Sequence, residues 1–196
     1  MVLDGVDGCG KSTQARLLTE RLEADGRSPL HLREPGSTPL GEELREIFLS
    51  RRHDLSPKVE VLLVAAARRA MLDEIVEPAL AAGRDVVCER FHSSTFAYQG
   101  TAGGLELDRI EQLLTDWASD PVPDLIVLLD IDVATASDRR GAATDRMEDR
   151  GLEFQERVAR GYRAYAERPG VVLIDGAREA DEVAESVWKE LAACAS

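Results

Sequence analysis

GVDGCGKST occupies residues 5–13, between a short apolar start, Met1–Asp4, and a stretch with helical spacing, Lys11–Ala24. Gly5, Gly10, Lys11 and Ser12 match GxxxxGK[ST], the phosphate-binding loop pattern. Glycines let the backbone turn so that successive N–H groups converge on phosphate oxygens. The helix that follows adds its positive N-terminal end. A lysine at position 11 reaches the β- and γ-phosphates, and a hydroxyl at position 12 suits Mg²⁺. Gly8, Cys9 and Thr13 complete the loop's candidate ATP contacts. The pattern arises by chance in roughly 1 chain in 150 of this length, and here it also has the strand-before, helix-after context. Asp7 is the odd member, because a carboxylate facing phosphates is repelled. It either caps local N–H groups as a turn residue or accepts from a sugar hydroxyl of a second substrate.

Outward from this loop, short apolar runs alternate with longer helical patterns. The runs are Val2–Leu3, Leu30–Leu32, Val86–Cys88, Leu125–Leu129 and Val171–Ile174. Their bounding Gly, Pro and charged residues suit buried parallel strands. The amphipathic stretches are Lys11–Ala24, Leu40–Leu49, Pro57–Ala82, Leu107–Ala118, Gly151–Glu167 and Glu179–Ala192. This alternation predicts an α/β doubly wound sheet. The first strand is short, with four residues before the glycine loop. The 196 residues contain no repeat and no linker, so one domain spanning 1–196 is expected.

The net charge is −13, from 24 basic and 37 acidic residues. Only Lys11, Lys58 and Lys189 are lysines; the other basic residues are arginines. Such a balance speaks against extended polyanions, so neither nucleic acid nor an anionic membrane is an expected partner. A small anion needs a local positive site. Cys9, Cys88 and Cys194 lack CxxC spacing, which argues against a disulfide framework and a structural zinc site. No apolar run is long enough to span a membrane, and no signal peptide is expected, so the cytoplasm is the default.

CERFHSSTFAYQG, residues 88–100, directly follows a predicted strand. Ligands of doubly wound sheets bind beyond the carboxyl ends of strands. Glu89 and Arg90 are therefore either a surface ion pair or a Mg²⁺ carboxylate beside a phosphate fork. Thr95, Tyr98 and Gln99 share neighbouring helical faces and line either a polar pocket or a half-buried helix turn. Arg68 and Arg69 interrupt LLVAAARRAML (62–72); a buried arginine there needs an anion, and Arg69 is expected to reach solvent. DRRGAATDRMEDRG (138–151) reads as a solvated loop or, in a kinase, a mobile lid carrying arginines.

Together these stretches resemble the thymidylate kinase family. The resemblance covers nearly the whole chain. It rests on GVDGCGKST (5–13), REPGSTPLGEELR (33–45), LLVAAARR (62–69), ERFHSSTFAYQG (89–100), PDLIVLLD (123–130), DRMEDRGLEFQERV (145–158) and VVLIDG (171–176). It implies a three-layer P-loop kinase fold, a five-stranded parallel sheet flanked by helices with a short arginine-rich lid at about 138–150. It implies transfer of the γ-phosphoryl of Mg²⁺·ATP to dTMP, giving dTDP, by a homodimer. Asp7 would bind the 3′-hydroxyl and Arg33 would lie near the acceptor phosphate. Arg68 would bond thymine, with Thr95 and Gln99 on the base side, and Tyr98 would crowd the sugar 2′ position. Glu89 and Arg90 match the family's Asp-Arg pair, serving Mg²⁺ or water and the acceptor phosphate. With no arginine in the glycine loop, a catalytic arginine is expected from the lid: Arg139, Arg140 or Arg146.

Four features depart from the family pattern. Val64 stands where a phenylalanine often stacks on thymine. Glu89 replaces the commoner Asp. Gly103 occupies a common arginine position, and the first strand is short. Val64 keeps a kinase for another deoxynucleotide or nucleoside as an alternative. A degenerate, non-catalytic nucleotide-binding module is a second, opposed by Lys11, Ser12, Arg90 and the lid arginines. A GTPase would need an N/TKxD base-reading motif, and none is present.

Overall fold

The computed structural model describes residues 1–143 and 145–194. All five apolar runs become strands: β1 (Val2–Gly5), β2 (Leu30–Arg33), β3 (Val86–Glu89), β4 (Ile126–Asp130) and β5 (Val171–Asp175). They form one parallel sheet in the order β2-β3-β1-β4-β5. The expected five-stranded parallel sheet is therefore present. β1 is short but lies at the centre, with every residue buried. Val2 registers with Cys88 on one side and Ile126 on the other. A strand covered on both faces needs apolar residues throughout, which is why these runs do not alternate.

The helices around the sheet are α1 (Lys11–Ala24), α2 (Pro39–Leu49), α3 (Pro57–Met71), α4 (Glu77–Ala81), α5 (His92–Thr95), α6 (Leu107–Trp117), α7 (Val133–Arg140), α8 (Leu152–Tyr165) and α9 (Ala180–Cys194). Local chemistry starts several of them. Thr38 caps α2 by accepting from Gly41 N, and Ser56 caps α3 through Val59 N. Asp132 accepts from Ala134 N and Thr135 N at the start of α7.

Two helical stretches differ from their expected form. Pro57–Ala82 is not one regular helix: a π-helical turn, Leu72–Val76, joins α3 to α4. Pro78 has no N–H for Glu74 O, and its ring crowds that carbonyl, so the preceding turn widens. The 138–150 stretch is not wholly loop. Asp138–Arg140 end α7, and Glu148–Arg150 form a 3₁₀ turn. Only Ala136 of α7 is buried, so that helix carries no apolar stripe to announce it. Thr144, within the same stretch, lies outside the described residues, as do positions 195 and 196 of the expected domain.

Leu3, Val127 and Leu128 centre the main core, with Leu22 of α1, Val158 of α8 and Val187 of α9 against the sheet. A smaller cluster joins Val61 and Ala65 of α3 to Ile110 and Leu114 of α6. Because β1 feeds β2 and β3 on one side and is flanked by β4 and β5 on the other, its carboxyl end is the topological switch point. That end opens a crevice for ligands.

Candidate active site

The carboxyl ends of β1, β2, β3 and β5 lead to one cleft of about 980 Å³. A second cavity, about 240 Å³, opens beside it. The two share Asp7, Glu34, Arg45 and Arg90. Residues 7–14 line the first space, together with Arg139, Arg178 and Ala180. Val64, Thr95, Tyr98 and Gln99 line the second.

The glycine loop holds its shape by close approach. Gly8 has φ 89°, and a Cβ there would collide with Ala136 O of α7. Gly10, at φ 103°, ends the loop in the left-handed region and starts α1. Lys11 Nζ donates to Gly5 O and Val6 O, both at 2.9 Å, and stands 3.6 Å from Asp7 Oδ1. Ser12 Oγ donates to Glu89 Oε2 at 2.5 Å, while Glu89 Oε1 meets His31 Nε2 at 2.8 Å. The longer Glu side chain thus spans from β3 to the glycine loop. A hydroxyl beside a carboxylate is a hard oxygen pair that fits Mg²⁺. Among the described residues, no three His, Cys, Asp or Glu side chains cluster as a metal cage.

Asp7 points into the second space. It pairs with Arg90 and accepts from Tyr98 OH at 2.9 Å. Burial alone would raise its carboxyl, but Arg90 and Lys11 outweigh burial and hold it well below the usual range. Burial pushes the Tyr98 phenol up, and the Asp7 charge adds to that. Arg90 takes φ 71°, a rare value for a bulky residue and a mark of local strain. Ser94 accepts from Arg90 Nη1 at 3.2 Å and donates to Asp4 Oδ1 at 2.9 Å. Asp4 is fully buried and also accepts from Ser93 Oγ and Tyr162 OH. The strained arginine is therefore anchored to β1 through a satisfied network.

Arg68 is fully buried. Its Nε and Nη2 form a fork on Glu34 at 2.6 and 2.7 Å, and Nη2 also reaches Thr95 Oγ1 at 3.0 Å. Its Nη1 is buried without a partner. Burial raises the Glu34 carboxyl, and Arg68 opposes that rise. Arg69, by contrast, lies partly in solvent, pairing with Asp73 and Glu77.

Arg33 sits at the rim, 3.3 Å from Glu42, and lines only the larger space. Arg45 lines both. Burial lowers its guanidinium, and the like charges of Arg33 and Arg90 lower it further. Three arginines converging on one junction form a local site for an anion, against the acidic balance of the whole chain.

A profile of the thymidylate kinase family matches residues 3–187. The thymidylate kinase of Solidesulfovibrio magneticus is 43% identical over 200 residues, covering 96% of each chain. That of Leifsonia xyli is 41% identical, covering 95% of this chain and 91% of its own. That of Ruegeria pomeroyi is 43% identical with the same coverage. This chain belongs to the thymidylate kinase family.

The three arginines expected in a lid diverge. Arg139 donates to Gly176 O at 2.7 Å and Ala177 O at 2.9 Å, closing the far wall of the larger cleft. Arg140 borders a small space with Val6 and Asp7; its Nε is buried without a partner, 3.9 Å from Glu148. Arg146 turns the other way: Nε and Nη2 donate to Phe48 O, and Nη1 donates to Glu60 at 2.7 Å.

Asp4, Glu34, Arg45, Phe48, Glu60, Ser94 and Tyr162 carry the site without having been singled out in the sequence. Glu34 and Arg45 lie inside the REPGSTPLGEELR motif, so an unassigned charge within a recognised motif was a usable signal. Ser94 likewise lies inside ERFHSSTFAYQG, four residues from Arg90, whereas Asp4, Phe48, Glu60 and Tyr162 gain their meaning from partners distant in sequence.

Proposed function

We propose that this chain transfers the γ-phosphoryl of ATP to dTMP, giving dTDP for dTTP synthesis. The observation that carries this reading is the meeting of two spaces at Arg45 and Arg90, with Lys11 and Arg33 on the larger space's side of that junction. One space has a phosphate-binding loop and the other a buried polar pocket of nucleoside size.

ATP binds along the larger cleft, held by the N–H groups of Gly8, Cys9, Gly10, Ser12 and Thr13, with Gly5 shaping the turn. dTMP binds in the smaller cavity. There Asp7 takes the 3′-hydroxyl, Tyr98 limits room at the 2′ position, Arg68, Thr95 and Gln99 meet the base, and Val64 packs on it. Arg33 and Arg90 hold the acceptor phosphate. Ser12 and Glu89 would hold Mg²⁺, which supplies charge neutralisation on the transferring phosphates.

Transfer needs little covalent help from the protein; it needs alignment and fixed positive charge. The acceptor phosphate oxygen attacks γ-phosphorus in line while the ADP oxygen leaves opposite. Lys11 turns from the loop carbonyls to the phosphates, and Arg90 steadies the acceptor. Arg140, which borders the small space beside Asp7, spreads charge on the transferring group. Arg139 covers the donor end, and Arg146 braces the acceptor pocket. Apart from the turn of Lys11, these donors sit near their working positions, so little reorganisation is needed at the transition state.

The active form is a homodimer in the cytoplasm. Exposed Val59 and Leu62 on α3 and Trp117 on α6 support a second copy on that side. No helix among the described residues is long and apolar enough to cross a membrane.

An ADP-release assay with dTMP, dUMP, dCMP and thymidine tests the reading. Preferred turnover of dTMP is expected. Preference for thymidine, or no turnover of any acceptor, would overturn it.

A further inference from the structure

Glu60 is a carboxylate with no solvent exposure, on α3, outside the phosphoryl-transfer machinery. Arg146 Nη1 donates to its Oε1 at 2.7 Å, and Arg150 Nη1 stands 3.6 Å from Oε2. A buried acid between two guanidiniums presents only acceptors. Its remaining partner is Gln99, whose Nε2 donates to Glu60 Oε2 at 2.9 Å.

That one bond decides which end of the Gln99 amide faces the cavity. An amide has a donor end and an acceptor end, and a carboxylate takes only the donor. With Nε2 turned to Glu60, Gln99 Oε1 is the polar atom left to the cavity that Gln99 lines. Gln99 lies in a π-helical segment, Phe96–Ala102, which continues α5 and whose wider turn brings Tyr98 and Gln99 into the same wall as Thr95. Near that wall Arg68 Nη1 is a buried donor without a partner. Thymine and uracil carry a ring N–H beside a carbonyl oxygen. Cytosine reverses both, with a ring lone pair beside an amino group. An acceptor paired with a donor matches the first edge and opposes the second.

We propose that Glu60 is the specificity-positioning residue of the acceptor pocket. By holding Gln99 Nε2 it presents Gln99 Oε1 to the base edge, admitting bases with a ring N–H and rejecting those with a ring lone pair. The proposal rests on the smaller cavity being the acceptor nucleoside site. Arg146 and Arg150 hold Glu60 in place, so these two arginines serve base choice and not phosphoryl transfer.

The test compares wild type with Glu60→Gln, using ATP and dTMP, dUMP or dCMP, with KM and kcat measured for each acceptor. The substituted amide keeps the shape of the acid but can donate as well as accept, which frees the Gln99 amide to turn. The dTMP-to-dCMP ratio of kcat/KM should fall about tenfold or more, carried by the KM values, with the KM for ATP within about twofold of wild type. A merely structural Glu60 would weaken all acceptors alike and leave the ratio unchanged, and that result in a folded variant overturns the proposal. If wild type itself turns over no dTMP, the acceptor-site reading falls and this proposal with it. A wild type active on dTMP with an unmoved ratio in the variant removes the Glu60 role alone. Should Glu60→Gln fail to fold, the side-chain amide of Gln99 in wild type decides by ¹⁵N NMR, assigned by its loss in Gln99→Met. Slow solvent exchange that survives dTMP binding is expected. Fast exchange in the free protein, or protection lost when dTMP binds, overturns the proposal.

Discussion

The two halves of the active site are built on different principles. The larger cleft has a local wall: residues 7–14, consecutive in sequence, run from the glycine loop into one helix N-terminus. Its chemistry is backbone N–H groups and one lysine, and its space is open. The smaller cavity, the proposed acceptor half, is assembled from the ends of β1, β2 and β3, from α2, α3, α5 with its π-helical continuation, and from the 145–148 turn. Its chemistry is long-range ion pairs: Glu34 with Arg68, fully buried, and Asp7 with Arg90 and Glu60 with Arg146, partly so. A phosphate looks the same on every nucleotide, so a local backbone cradle suffices for it. A particular base and sugar need groups fixed in three dimensions, and long-range pairs fix them.

This contrast can be broken in graded steps. Lys11→Ala should lower kcat by roughly 10⁴-fold while thermal unfolding hardly changes. Near-normal turnover would mean that the loop is not the donor site. Glu34→Ala should do the reverse, costing about 3–4 kcal/mol of stability because it leaves Arg68 buried and unpaired. Chemical denaturation reads that loss, and an unchanged midpoint would deny the acceptor half its dependence on buried pairs. Arg90→Ala should raise the KM for dTMP about tenfold or more and spare the KM for ATP. Equal changes in both would erase the boundary between the halves.

A smaller effect concerns the support behind the acceptor wall. His92 Nε2 lies 2.8 Å from Ala118 O, a carbonyl that can only accept, so the neutral ring carries its proton on Nε2. Burial lowers the His92 pKa to about 3. Below about pH 6.5 the unfolded chain takes up a proton that the folded chain refuses. Stability therefore falls as pH drops from 6.5 towards 3, by about 2 kcal/mol at pH 5. His92→Gln should flatten that part of the stability–pH curve relative to wild type; parallel curves would contradict it. The smallest effect is expected from Val64→Phe, which adds a ring to a cavity already walled by Phe48. A gain of about 1 kcal/mol in dTMP binding is expected from stacking. Titration calorimetry showing no gain would point to Phe48 as the aromatic wall that already serves the base.

Legibility followed the same division. The strand runs, α1 from Lys11 to Ala24 and the donor loop could be read directly, because each depends on neighbours in sequence. Helix α7 could not, since a polar helix with one buried residue leaves no periodic trace. The partners of Asp7, Arg90 and Tyr98, lie more than eighty residues away and could not be read from its neighbours. Arg146 read as one lid arginine among three, and its orientation toward Phe48 and Glu60 was invisible until α2 and α3 were packed beside it.

By sequence alone, this protein was determined as a parallel α/β chain with a phosphate-binding loop of the thymidylate kinase pattern. Periodicity and a nine-residue motif encode those features locally. Tertiary structure decided which acid answers which arginine, which of Arg139, Arg140 and Arg146 lines the larger cleft, and which end of Gln99 is held by Glu60. Those choices are pairings of buried charge and amide groups across distant segments. Burial makes an unmatched group costly, so the folded arrangement, and not local preference, selects the partner.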